Sequence, residues 1–180
     1  MCIRDSLNAV KNTYDVIMVD AYQDITIPFQ MSSKEFFTLV KEHLKPDGVM
    51  VVNMNMRGGG EGNINQYLSD TISTVFPEVF TVDVSNSSNR VLFASDNAKM
   101  TQVFDNNLAR VTDTSLYSAM YGVKTNCVKY SPTGKYILTD DKAPVELLGM
   151  KVVDRMISDE LSYYKEIFKK EGLKGLLGSF

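Results

Sequence analysis

YDVIMVDAYQDITIPFQ, residues 14–30, runs four apolar residues, Val16, Ile17, Met18 and Val19, straight into a carboxylate, Asp20, and sets a second one, Asp24, four residues further on. An apolar run this short, ended by a polar loop, reads as a strand buried on both faces, as parallel sheets require. In open parallel sheets ligands sit in the crevice beyond the carboxyl ends of the strands, which is the end Asp20 occupies. Two uses of Asp20 fit that place. It can accept hydrogen bonds from the loop backbone, a common role for Asp after a strand, or it can face a ligand. Asp24 on the same loop favours the second use, because neighbouring carboxylates suit a cation and can hold an amine or take its proton.

Outward from this strand the pattern alternates. Residues 33–44 read as a helix with Ser32 or Ser33 as N-cap, Glu35 in the first turn and Phe36, Phe37, Leu39, Val40 and Leu44 on one face, stopped by Lys45-Pro46-Asp47-Gly48. A second buried strand, VMVVNMN at 49–55, follows, and then a helix near 63–76 carrying Ile64, Tyr67, Leu68, Ile72 and Val75. Strand, helix, strand, helix implies parallel pairing through crossovers. VFTVDVS (79–85) and RVLFAS (90–95), split by the polar turn Asn86 to Asn89, read as an antiparallel hairpin closing the sheet edge. Helical segments near 97–110 and 114–121 come next. A short extended pair around CVKYS and YILTD follows, with Pro132-Thr133-Gly134 as its turn, and then a last helix from Ala143 toward 170.

Composition removes several functional classes. The chain has 180 residues, 44% apolar and 23% charged, and no apolar run approaches the roughly 18–20 residues of a membrane span. A net charge of −3 offers no basic surface to a nucleic-acid backbone, so no nucleic-acid partner is expected. Cys2 and Cys127 are too few for a disulfide framework and no Cys/His cluster has metal-ligand spacing, which points to a reducing, cytoplasmic compartment and to no metal. The single histidine, His43, falls in the last turn of a helix, where positive charge is favoured. RGGGEG (57–62) lacks the Lys-Ser/Thr ending of a phosphate loop and reads as a plain loop. Tyr163, Tyr164, Ile167 and Phe168 on the last helix read as core or interface packing. MCIRDS (1–6) has neither strand alternation nor a signal-peptide pattern and is set aside as a leader foreign to the fold.

YDVIMVDAYQDITIPFQMSSKEFF (14–37) resembles the fourth-strand and loop region of the spermidine synthase family, most closely the domains of that family fused to transporter-like membrane segments. LTDDKAPVELL (138–148) resembles a second signature of the same group, and the two lie in the expected order. The resemblance implies a truncated Rossmann-like, class I methyltransferase-like α/β sheet, with parallel strands, a C-terminal antiparallel hairpin and helices on both faces. It divides the chain into a leader (1–6), the C-terminal part of an aminopropyltransferase domain (7–96) and a helical extension bearing the second motif (97–180).

The implied chemistry is transfer of an aminopropyl group from decarboxylated S-adenosylmethionine, a co-substrate rather than a resident cofactor, to the diamine putrescine. Asp20 matches the family's catalytic aspartate. Tyr22, Gln23, Asp24, Asp140, Asp141 and Glu146 are the implied amine-binding residues, and Ala21 and Pro28 flank the adenosyl donor. Asp140, Asp141 and Glu146 have an alternative use as acids at the start of the last helix. The family's glycine-rich adenosyl loop and ribose-binding acid have no counterpart in these residues, so half of the donor site is expected upstream of Tyr14. A sheet lacking its first strands leaves an open edge, hence an expected homo-oligomer. A methyltransferase on the same fold, and a non-catalytic polyamine-binding module of a membrane protein, remain as alternatives.

Overall fold

The computed structural model describes residues 3–20, 27–54, 60–85, 87 and 89–178. The quoted apolar run forms β1 (Tyr14–Val19), and it pairs in parallel with β2 (Leu44–Met54), Val16 beside Val49 through Val19 beside Val52. Parallel neighbours need a crossover, and α2 (Lys34–Glu42) supplies it. Ser33 is its N-cap, its Oγ accepting from the Phe36 amide at 3.2 Å, while Phe36, Phe37 and Val40 bury the apolar face. β2 begins earlier than VMVVNMN. Its pairing already includes Leu44 beside Tyr14, and the Lys45-Pro46-Asp47-Gly48 turn bulges out before Val49 restores the register.

The chain crosses back through α3 (Ile64–Ser73), capped by the Asn63 side chain, to β3 (Glu78–Asp83), which makes the expected hairpin with β4 (Arg90–Ser95). The strand order is β1-β2-β4-β3, with a further short strand outside β3. The hairpin therefore does not simply close the edge. The α3 crossover sets β3 two strand positions from β2, and β4 returns to fill the gap, antiparallel to both neighbours.

After α4 (Met100–Leu108) and α5 (Thr114–Asn126), β5 (Val128–Lys129) adds to β3 rather than pairing with YILTD. The reason lies in competing partners. β3 offers an open edge to Val128 and Lys129, while Leu138 is engaged elsewhere, its amide donating to Thr71 Oγ1 at 2.9 Å and its carbonyl accepting from the Lys34 amide at 2.9 Å.

One sheet face is closed by α2 and α3 over Val19, Met50, Val52, Met54, Val79, Leu92 and Ala94, with Phe36, Phe37, Leu68 and Ile72 facing them. The opposite face is open at β1. Val16 and Met18 are 53% and 74% exposed, so β1 is half-buried and not buried on both sides as its composition suggests. Residues 3–6, set aside above, take part in the fold within α1 (Ile3–Ala9), whose Leu7 packs against the core. The last helix, α6 (Val145–Gly178), is regular up to Gly172, which has φ 64° and interrupts it. Among the described residues no helix is long and apolar enough to cross a membrane.

Candidate functional site

Register places the first residue of the site. Val19 lies beside Val52, so the next residues of the two parallel strands, Asp20 and Asn53, lie side by side at the carboxyl end of the sheet. Asn53 Nδ2 donates to Asp20 Oδ1 at 3.1 Å. Asp20 is exposed and leads into residues 21–26, so Ala21, Tyr22, Gln23 and Asp24 lie outside the described residues. Pro28 is half-buried and opens a single 3-10 turn, Phe29–Met31, its carbonyl accepting from the Met31 amide at 2.9 Å. That turn leads directly to Ser33 and the N-terminus of α2.

The second motif comes to the same helix end. Thr139 and Lys142 exchange backbone hydrogen bonds of 3.1 and 2.9 Å and close a tight turn with Asp140 and Asp141 at its tip. Asp140 is held from three sides. Arg4 grips both carboxylate oxygens at 2.7 and 2.8 Å, Ser33 Oγ donates to Oδ1, and the Asp140 amide donates to Glu35 Oε2 at 3.0 Å. Hydrogen bonds from Arg4 hold its carboxyl below the ordinary range, against a smaller opposing effect of burial and with help from Ser33. Neither acid of the pair caps α6, since that helix begins at Val145. Asp141 and Glu146 are exposed, and among the described residues no hydrogen bond or ion pair engages their side chains. Glu146 sits in the first turn of α6, where its charge suits the helix dipole.

A buried acid that sequence reasoning missed fixes this arrangement. Asp70 of α3 is 1% exposed and accepts from Tyr130 Oη at 2.8 Å, from the Thr133 amide and hydroxyl at 2.9 and 2.5 Å, and from the Tyr136 amide at 3.3 Å. Burial pushes its carboxyl up, and the hydrogen bonds from Thr133, Tyr130 and Tyr136 outweigh that and bring it below the ordinary value. The Tyr130 hydroxyl moves the opposite way, raised by burial and by its bond to Asp70. Asp70 thereby clasps the 130–136 loop to α3, and Leu138 continues that anchoring to Thr71 and Lys34 just before the Asp140 turn. The sequence signal for Asp70 was an acid embedded among the apolar positions Leu68 and Ile72. For Asn53 it was an amide inside an otherwise apolar strand. The described residues contain no cluster of His, Cys, Asp and Glu able to hold a metal.

A parallel pair with an acid at its carboxyl end, extended by an antiparallel hairpin and joined by the 138–148 turn, fits the fold expected from the motifs. Residues 3–107 match the spermine/spermidine synthase domain, and the chain belongs to that family. Over an alignment of 187 positions that covers 95% of this chain, it is 50% identical to the probable polyamine aminopropyl transferase of Bifidobacterium longum (strain NCC 2705), and it spans 42% of that relative. In fold it is similar to a probable spermidine synthase from Corynebacterium glutamicum ATCC 13032, with TM-score 0.50, 16% identity, and 76% of this chain and 51% of that one covered. It is likewise similar to the spermidine synthase from Thermotoga maritima, with TM-score 0.50, 18% identity, and 66% and 43% covered.

Proposed function

We propose that this chain is the acceptor-side part of a polyamine aminopropyltransferase, with Asp20 as the acid that orients and deprotonates the amine. The observation carrying this reading is the place of Asp20. It stands at the carboxyl end of β1, beside Asn53, in a chain of the spermine/spermidine synthase family. A primary amine is protonated in neutral water and has no lone pair to attack with. Asp20 accepts its proton, the free nitrogen attacks the methylene next to the sulfonium of decarboxylated S-adenosylmethionine, the carbon–sulfur bond breaks, and methylthioadenosine leaves with the electron pair. The new secondary amine carries the aminopropyl group.

Asn53 holds one carboxylate oxygen of Asp20 and leaves the other for the amine. The resemblance to the family assigns Tyr22, Gln23 and Asp24 to the amine acceptor and Ala21 and Pro28 to the adenosyl donor. Asp141, exposed at the turn pinned to α2, and Glu146, exposed in the first turn of α6, offer charge to the far ammonium of a diamine such as putrescine. Asp140 is committed to Arg4 and Ser33 and positions that turn.

The test uses a chimera in which this chain replaces the stretch of the Bifidobacterium relative that it matches, 42% of that relative, so that the rest of it surrounds the chain. Given decarboxylated S-adenosylmethionine and putrescine, it should release methylthioadenosine, and Asp20→Asn should nearly abolish release. A chimera that binds diamine and releases none would turn the reading to a non-catalytic polyamine-binding module. Methyl transfer from S-adenosylmethionine in place of aminopropyl transfer would turn it to a methyltransferase.

A further inference from the structure

α6 leaves the body of the fold early. Val145 and Leu148 are buried in the core, and Val152 is the last of its described residues to pack against it. The helix runs on to Gly178, which carries Lys165 about 20 Å beyond Val152 along the axis. Charges are screened over roughly 8 Å at physiological ionic strength, so the far part of α6 meets its surroundings with its own charge rather than that of the body.

That charge is opposite to the body's. Residues 161–178 carry four lysines, Lys165, Lys169, Lys170 and Lys174, against two acids, Glu166 and Glu171, a balance of +2. The whole chain carries −3, which leaves −5 on the remainder. Set among these lysines, Leu161, Tyr163, Phe168, Leu173 and Leu177 are each more than half exposed. At about 100° per residue, Leu161 and Phe168 fall within about 20° of one another. Half-buried Tyr164 and Ile167 extend their face on one side, and exposed Lys165 and Lys169 border it on the other. Lysines beside an apolar face lay their stems along it and turn their charges outward, the arrangement of a helix lying in a membrane interface.

The spread of the apolar residues identifies the partner. Gly172, with φ 64° and ψ −159°, breaks the helix, so Leu173 and Leu177 belong to a second short segment with a direction of its own. Tyr163 lies off the Leu161–Phe168 line altogether. A groove in a folded protein accepts one straight ridge. The acyl boundary of a bilayer yields to both segments, and tyrosine suits its headgroup level. The lysines supply the complement to anionic headgroups, about 1 kcal/mol each near such a surface. A nucleic-acid backbone would engage the lysines and leave the leucines and Phe168 in water.

We infer that residues 161–178 form an interfacial arm that lies on an anionic lipid surface, with Leu161, Phe168, Leu173 and Leu177 entering the acyl boundary and the lysines meeting headgroup phosphates. The inference stands apart from the proposed reaction, and its failure would leave that reading untouched.

In flotation assays the 180-residue chain should rise with phosphatidylglycerol vesicles and stay behind with phosphatidylcholine vesicles, and added salt should release it. Phe168→Asp should lower the partition constant about tenfold or more. Lys165→Glu combined with Lys169→Glu should lower it about 30-fold or more. The thermal melt of the α/β body should be unchanged in both variants, because these side chains face solvent. No binding to phosphatidylglycerol overturns the proposal, as does equal binding to the two lipids. Binding that survives Phe168→Asp or the double lysine change would place the contact elsewhere and overturn it as well. Amide exchange over residues 161–178 that slows when the chain is concentrated without lipid, and not when vesicles are added, would give the face to a protein surface instead.

Discussion

Asn53 donates its side-chain amide to the Asp20 carboxylate across 3.1 Å, and the contact exists because parallel register carries the two strands off the sheet in step, one residue beyond Val19 and Val52. In the chimera, Asp20→Asn removes the charge and keeps the shape. It should lower methylthioadenosine release by about 10²- to 10⁴-fold, the range of a positioned acid or base. Asn53→Ala leaves the acid in place but unaimed and should cost about tenfold, the loss of one hydrogen bond to a charged group. Equal losses in the two variants, measured as turnover at saturating substrate, would contradict this division of roles.

Asp141→Asn and Glu146→Gln address affinity. Both side chains are exposed, so each change should leave the unfolding free energy within about 0.5 kcal/mol of the parent chain. If they meet the far ammonium of the diamine, each should raise KM for putrescine several-fold with turnover unchanged. Steady-state kinetics separate the two parameters, and a change in turnover alone would remove these residues from the amine site.

Asp70→Ala should be among the most destabilising single changes in the chain. It leaves Tyr130, Thr133 and the Tyr136 amide without their acceptor, a loss of about 2–4 kcal/mol in urea unfolding. The pH dependence follows from its lowered pKa. The folded carboxyl releases its proton more readily than the unfolded one, whose ordinary value is 3.8, so its stabilisation is full above that value and fades as pH falls through the lower folded value. Asp70→Asn should therefore lose less stability than wild type on acidification below about pH 4.

His43 titrates in the opposite sense. Its Nδ1 faces the Leu39 carbonyl at 2.9 Å and its Nε2 the Val10 carbonyl at 3.0 Å. A carbonyl can only accept, and neutral imidazole has one N–H, so both bonds form together only in the protonated ring. Those two carbonyls raise its pKa above the ordinary 6.5, over a smaller opposing effect of burial, with Glu42 adding to the rise. Its contribution is full below 6.5 and is lost as pH climbs through the raised folded value. The difference in thermal midpoint between wild type and His43→Gln should shrink from about pH 6 to pH 8, and a constant difference would show that the ring does not titrate with folding.

Much of this protein was legible along the chain because its signals are local. Apolar runs ended by acids, a Ser three residues before its capped amide and helical periodicity announced β1, β2, α2 and α3, and the motif around Asp20 announced the family. Such features depend on a residue and its near neighbours. What the tertiary structure alone decided is pairing across distance. β4 slips between β2 and β3, Val128 and Lys129 go to β3 instead of YILTD, and Asp140 is taken by Arg4 and Ser33 rather than by the helix it precedes. Each outcome is a competition among partners far apart in sequence, settled by which backbone edge or buried donor the packed core leaves unsatisfied. No short-range pattern records that. Asp70 shows the limit most plainly: in sequence it is one acid in a helix, and it becomes the clasp of the 130–136 loop because folding buries it beside four donor groups of three residues some sixty positions away.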